Sequence, residues 1–196
     1  MLSYKDSLNV LKKTRALLEG HFVLTSGLHS NRYVQCAKLL SNPHAASKIC
    51  SSLTEKILKS FPLVDLILSP ALGGIIIGYE IGRRLKKESI FSERVEGKFQ
   101  LRRSFSIKKG AKVLIVEDVI TTGKSILECA KLVKKANAKI LGFACIIDRS
   151  NKKNLLIKNN KIISQVKISI PVYKKNSLPL FLKKIPAIKQ GSRFLK

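Results

Sequence analysis

Residues 113–125 read VLIVEDVITTGKS: four aliphatic residues, two acids, two more aliphatics, then small hydroxyl residues, a glycine and a lysine. Four consecutive branched apolar residues without polar alternation suit a strand buried on both faces, at the centre of a parallel sheet. The spacing predicts a strand over 112–116, a loop over 117–122 and a helix from about 123 to 136. Similar units flank it. A buried-type strand at 64–69 runs into Pro-Ala-Leu-Gly-Gly and a helix to about Lys86, a shorter strand covers 89–93, and another spans 140–147, ending at Asp148-Arg149. Strands alternating with helices imply an α/β fold, a central parallel sheet flanked by helices.

Outside that core the expected elements are a helix from about Ser3 to Leu18, strand-like pieces at 22–25 and 32–36, a helix opened by Asn42-Pro43 and running to about Ser60, and a strand at 166–172. Residues 94–110 are polar and basic and read as a long loop or an exposed hairpin. The 196 residues suit one domain.

Ligands of an open parallel sheet bind beyond the carboxyl ends of its strands. Thr121, Thr122, Gly123, Lys124 and Ser125 can turn backbone N–H groups and hydroxyls toward a phosphate at a helix N-terminus. Glu117 and Asp118 would repel that phosphate, so they should face groups that donate, such as sugar hydroxyls or a magnesium-bound water. A ligand with a phosphate at one end and a ribose in the middle satisfies both requirements. A nucleotide P-loop does not fit, because Asp118 stands where that motif needs its first glycine.

Composition narrows the partners. Thirty-eight Lys and Arg against 12 Asp and Glu give a net charge of +26. The lysines are spread along the chain, with no aromatic-rich RNA motif beside them, so they read as a solvated, lysine-biased surface rather than a nucleic-acid site, and an anionic small substrate would also benefit from the field. No apolar run reaches the roughly 18 residues of a membrane span, and the N-terminus lacks a signal-peptide stretch. Cys36, Cys50, Cys129 and Cys145 are scattered, with no C-x-x-C, and read as reduced core thiols of a cytoplasmic protein rather than metal ligands.

Residues 113–125 closely resemble the phosphoribosyl diphosphate (PRPP) signature of type I phosphoribosyltransferases. T-S-G-L-H-S at 25–30 and Asp148-Arg149 narrow the resemblance to the orotate branch, and L-S-P-A-L-G-G-I-I-I-G-Y-E at 68–80 with K-Q-G-S-R at 189–193 resemble one bacterial group within it. The resemblance implies transfer of ribose 5-phosphate from PRPP to orotate, with Mg2+, by a homodimer. It also implies a small hood built from about residues 1–40 and the C-terminal tail, and a mobile loop at about 94–109.

By the same resemblance, residues 117–125, Val119 and Ile120 included, would hold PRPP, Thr121 and Arg149 would bind orotate, and Arg94 and Lys98 would reach pyrophosphate in the neighbouring subunit's site. Lys98, Glu117 and Asp118 would be catalytic, stabilising charge on the leaving group and on the ribose; magnesium is expected mainly through PRPP and water. The chain departs from the pattern at Thr25 and at Leu72-Gly73, where many relatives carry a lysine, and in having no histidine just after Lys98, Arg102 and Arg103 being the available substitutes. His29 reads as a hydrogen-bonding residue of the hood. The alternatives are a purine phosphoribosyltransferase, which the guanidinium of Arg149 disfavours, and a PRPP-sensing nucleic-acid regulator, for which no helix-turn-helix segment precedes the core.

Overall fold

A computed structural model describes residues 1–24, 26–151, 154–157 and 161–189. Thr25 and residues 190–193 of the K-Q-G-S-R motif therefore lie outside the described residues. The elements run α1 (Tyr4–Lys13), β1 (Leu17–Val23), β2 (His29–Val34), α2 (Cys36–Leu40), α3 (Pro43–Ser60), β3 (Leu66–Pro70), α4 (Gly73–Leu85), β4 (Glu88–Val95) and β5 (Lys98–Leu101). They continue with β6 (Lys112–Ile120), α5 (Lys124–Lys135), β7 (Lys139–Asp148), β8 (Ile162–Lys167), β9 (Val172–Tyr173), α6 (Leu180–Lys183) and β10 (Ile188–Lys189).

Six strands form the main sheet in the order β5-β4-β3-β6-β7-β8. All pair in parallel except β5, which returns antiparallel along β4 at the edge. The unbroken apolar run places β6 centrally, and its residues alternate between two cores. Leu114 and Val116 join Ile49, Leu53 and Ile57 of α3 and Ile77 and Ile81 of α4 on one face. Val113 and Ile115 join Ile126, Cys129 and Val133 of α5 on the other. A second, four-stranded sheet, β10-β1-β2-β9, combines an N-terminal hairpin with two short pieces of the tail. There His21 Nε2 lies 2.7 Å from His29 Nδ1 and both rings are buried, so His29 is held by a hydrogen bond to its neighbour.

Several boundaries differ from the expected ones. α1 is capped by Ser3, whose Oγ accepts from the Asp6 N–H at 3.1 Å, and it stops at Lys13 rather than Leu18. Leu17 and Leu18 fit helical spacing equally well, but they pair with Val34 and Tyr33 in a strand. α3 begins at Pro43 as expected, with Asn42 accepting from the Ala45 N–H. The short α2 has no sequence signal of its own. The expected 166–172 strand is two strands in different sheets, β8 and β9, with Pro171 between them.

Two findings bear on function. First, β6 continues to Ile120, paired through Glu117↔Cys145 and Ile120↔Asp148 with β7, so the expected loop at 117–122 shrinks to Thr121–Gly123. Second, residues 94–110 read as a long loop or an exposed hairpin, and their first part is a hairpin. Val95 pairs with Lys98 across Glu96-Gly97, both at positive φ, the two-residue turn that matches strand twist. Phe99 and Ile107 are buried, which anchors the segment at two points. All four cysteines are free and buried, as expected.

Candidate active site

Three strand ends lie side by side, because β3, β6 and β7 are neighbours in the sheet. Each opens into a turn: Ala71-Leu72 before α4, Thr121–Gly123 before α5, and Asp148-Arg149. This is the crevice in which a doubly wound sheet binds its ligand.

Strand alternation separates the two acids. Glu117 follows Val113 and Ile115 onto the α5 side, where the Ser125 hydroxyl bonds to its carboxylate. Asp118 follows Leu114 and Val116 onto the α4 side, so the two carboxylates do not form a pair on one face. Asp118 lies so close to the start of α4 that a Cβ on Gly73 would stand 2.8 Å from its Oδ1. Glycine is required there, and any side chain at 73 would displace the carboxylate. Asp118 Oδ1 also accepts from the Val119 N–H at 2.8 Å.

Burial pushes the carboxyl of Asp118 up from its ordinary range, against the lowering effect of that hydrogen bond. Burial, reinforced by the nearby Asp118 charge, pushes Glu117 from 4.5 up to about 8. A carboxyl held largely protonated near neutral pH does not repel a phosphate at the adjacent helix end. Between pH 4.5 and about 8 the folded protein binds a proton at Glu117 that the unfolded chain releases, so stability falls as pH rises through this window. Chemical denaturation of the ligand-free protein across that range should show this slope, and Glu117→Gln should flatten it.

The start of α5 is built for an anion. No side chain caps it and no acid lies in its first turn. Gly123 adopts φ +76°, and a Cβ there would press against Ile157 and Leu155. Thr121, Thr122 and Lys124 are exposed and Ser125 is half-buried. Val119 and Ile120 pack inward and contribute only main chain, Ile120 through its carbonyl, which accepts from the Arg149 N–H at 2.8 Å.

Arg149 is the most informative side chain. Its Nε is buried and has no hydrogen-bond partner among the described residues. Burial lowers its pKa, opposed by Tyr33 nearby on β2. A guanidinium in this setting is completed by a planar anion. Arg94 and Lys98 lie elsewhere. Arg94 Nη1 is 3.1 Å from Glu128 Oε2 on α5, also donates to the Gly97 carbonyl, and stacks over Phe99. Lys98 is exposed on the outermost strand. Of the two possible substitutes for the missing histidine, both exposed, Arg103 is engaged with Glu93 at 2.7 Å. Among the described residues no group of three or more His, Cys, Asp or Glu could hold a metal ion. Sequence reasoning named Gly73 and Asp148 within their motifs without giving either a role of its own, and it passed over Tyr33.

Comparison with known proteins decides the family. A model of the phosphoribosyl transferase domain matches residues 37–174. The chain is 42% identical over 193 residues to an orotate phosphoribosyltransferase of Desulforamulus reducens, covering 98% of both chains. The chain belongs to the phosphoribosyl transferase family, in its orotate branch. Among solved structures it resembles the orotate phosphoribosyltransferase of Aeropyrum pernix, with TM-score 0.70 and 25% identity over 82% of this chain and 92% of that one. An adenine phosphoribosyltransferase of Saccharomyces cerevisiae matches with TM-score 0.65 and 18% identity, covering 81% of this chain and 99% of that one. Enzymes for different bases thus share this fold, and the base must be read from the site and from the sequence relative.

Proposed function

We propose that this chain transfers ribose 5-phosphate from PRPP to orotate, giving orotidine 5'-monophosphate and pyrophosphate on the pyrimidine route to UMP. The observation that carries the reading is the buried, unpartnered Nε of Arg149 at the end of β7. Orotate brings a carboxylate that completes it, whereas a neutral purine leaves it unsatisfied.

In this reaction orotate N1 bonds to ribose C1 as the C1–O bond to pyrophosphate breaks and its electron pair leaves with pyrophosphate. The α5 N-terminus with Thr121–Ser125 receives the 5-phosphate. Asp118 accepts from a ribose hydroxyl, and its negative charge favours the cationic character that develops at C1, while Glu117, on the other side of β6 and largely protonated near neutral pH, hydrogen-bonds to the ribose and adds little charge. Thr121 and Arg149 hold orotate. Magnesium, carried on the diphosphate of PRPP, would neutralise the leaving group. Carboxylates whose pKa burial has raised, with no cation acting on them among the described residues, suit water or hydroxyls of such a metal-bound substrate. Lys98 and Arg94 serve the pyrophosphate of a partner subunit, from a hairpin that moves as the site closes over PRPP and excludes water. About residues 1–40 and the C-terminal tail form the hood, whose sheet is β10-β1-β2-β9.

A homodimer is supported by α4. Leu72 is 84%, Ile76 53% and Tyr79 65% exposed, a row at helical spacing beside the 71–74 turn. Two copies meeting there would cover it. No described helix is long and apolar enough to cross a membrane, and four free thiols suit a reducing cytoplasm.

The test is the absorbance change on adding orotate, with adenine or hypoxanthine as comparison, to enzyme, PRPP and magnesium. Turnover of a purine but not of orotate would overturn the reading. Arg149→Leu should raise the KM for orotate by roughly 100-fold and that for PRPP by less than about threefold, since only one substrate loses a charge-assisted bond. Equal effects on both would assign Arg149 a structural role.

A further inference from the structure

The two cations of the hairpin are not equally available. Register pairs Arg94 with Phe99 and Val95 with Lys98, so Arg94 and Lys98 project from opposite faces of the β4–β5 ribbon. The face that carries Arg94 is the one packed on α5. On it, Ser92 Oγ lies 3.3 Å from Cys129 Sγ, Phe99 is buried, and Leu101 packs against the core that includes Cys129. Lys98, on the other face, is exposed.

Three contacts hold Arg94 where it is. Its Nη1 lies 3.1 Å from Glu128 Oε2, it donates to the Gly97 carbonyl, and its guanidinium carbon stands 4.1 Å from the centre of the Phe99 ring. Only the first reaches beyond the hairpin. Glu128 sits one turn past Lys124 in α5, the helix whose start receives the 5-phosphate in the proposed reaction.

We propose that Glu128 is a positioning residue for Arg94: without substrate it ties the guanidinium to α5, and PRPP must take Arg94 from it. The inference rests on the reading that Arg94 serves a pyrophosphate group. A carboxylate and a diphosphate make the same demand on a guanidinium, N–H donors held in one plane, so one arginine cannot satisfy both fully. PRPP then binds tightly only to molecules whose Arg94 is free, and its apparent affinity is lowered by that fraction. The two side chains are 40% and 20% exposed, so the pair is worth a few-fold in an equilibrium rather than orders of magnitude. That size suits a contact that has to break in every turnover. Ser92, Phe99 and Leu101 keep the base of the hairpin on α5 when Glu128 lets go.

The test starts with Glu128→Gln, which keeps the shape and removes the charge. The KM for PRPP, and the Kd for magnesium pyrophosphate measured by calorimetry, should each fall about threefold, while the KM for orotate changes less than about 1.5-fold. If Glu128 instead braces the hairpin in its working position, the KM for PRPP rises and kcat falls, and the inference is overturned. A negative charge on α5 would also oppose PRPP through space, without Arg94. Adding Glu128→Gln to Arg94→Met separates the two. The second substitution should then change the KM for PRPP by less than about 1.5-fold, whereas a repeated threefold fall assigns the effect to the field and sinks the proposal.

Hydrogen exchange in the ligand-free protein supplies a readout independent of the reaction. The amides of β5 should exchange severalfold faster in Glu128→Gln, with those of β6 unchanged. Unchanged exchange in β5 overturns the inference whichever base the enzyme uses. Faster exchange with an unaltered KM for PRPP and Kd for pyrophosphate overturns the competition with substrate. Turnover of a purine in place of orotate would defeat the orotate reading and leave the PRPP and exchange results standing.

Discussion

Asp118→Asn is expected to lower kcat by roughly 100-fold or more while leaving the folded protein intact. The two side chains are nearly isosteric. The oxygen that accepts from the Val119 N–H is retained, and nothing larger is pressed against Gly73. What disappears is a negative charge at the end of the central strand, on the side that faces the start of α4. Burial makes that charge costly to hold in the free protein, as the raised pKa of Asp118 records. A charge that is costly when free and stabilised when the ribose becomes cationic acts on the transition state more than on the ground state. The loss should therefore fall mainly on kcat. A correctly folded Asp118→Asn protein with wild-type kcat would remove this carboxylate from the mechanism. Glu117→Gln serves as the comparison. Its carboxyl, pushed up to about 8, is already largely protonated near neutral pH, so the amide should cost less.

The contrast between these two acids shows where sequence reading stopped. The run at 113–116 could be recognised as a central strand because four consecutive branched apolar residues suit a strand buried on both faces. The end of the strand could not be read, because pairing with β7 carries β6 through two charged residues that local propensity would assign to a loop. Once the strand is known to reach Ile120, alternation alone puts Glu117 and Asp118 on opposite faces. Leu17 and Leu18 illustrate the same limit, since their spacing fits a helix and only pairing with β2 makes them a strand. Asp148 was visible as a letter beside Arg149, but its partner Lys167 comes from another strand nineteen positions later, and no local pattern connects them. The short tail strands β9 and β10 exist only through pairing with β2 and β1.

The position of Lys98 raises a question that a mixed enzyme answers. The lysine is exposed on the outermost strand, while Arg94 on the same hairpin is tied to α5 of its own chain. If Lys98 serves the partner's site, Lys98→Ala and Asp118→Asn chains are each nearly inactive alone. In a mixed dimer one site then inherits both lesions and the other inherits neither. Random reassortment of equal amounts makes about half the dimers mixed, and one of their two sites is intact, so about a quarter of wild-type activity should return. If the hairpin covers its own chain's site, every site in the mixture carries one lesion and mixing restores nothing. Tagging one chain and co-purifying the other establishes that subunits have exchanged. Exchange without recovered activity would place Lys98 in its own subunit's site or outside catalysis. Recovery would mean that the Glu96-Gly97 hairpin reaches across the interface, and that the exposed row on α4 lies where two copies must meet for either site to be complete.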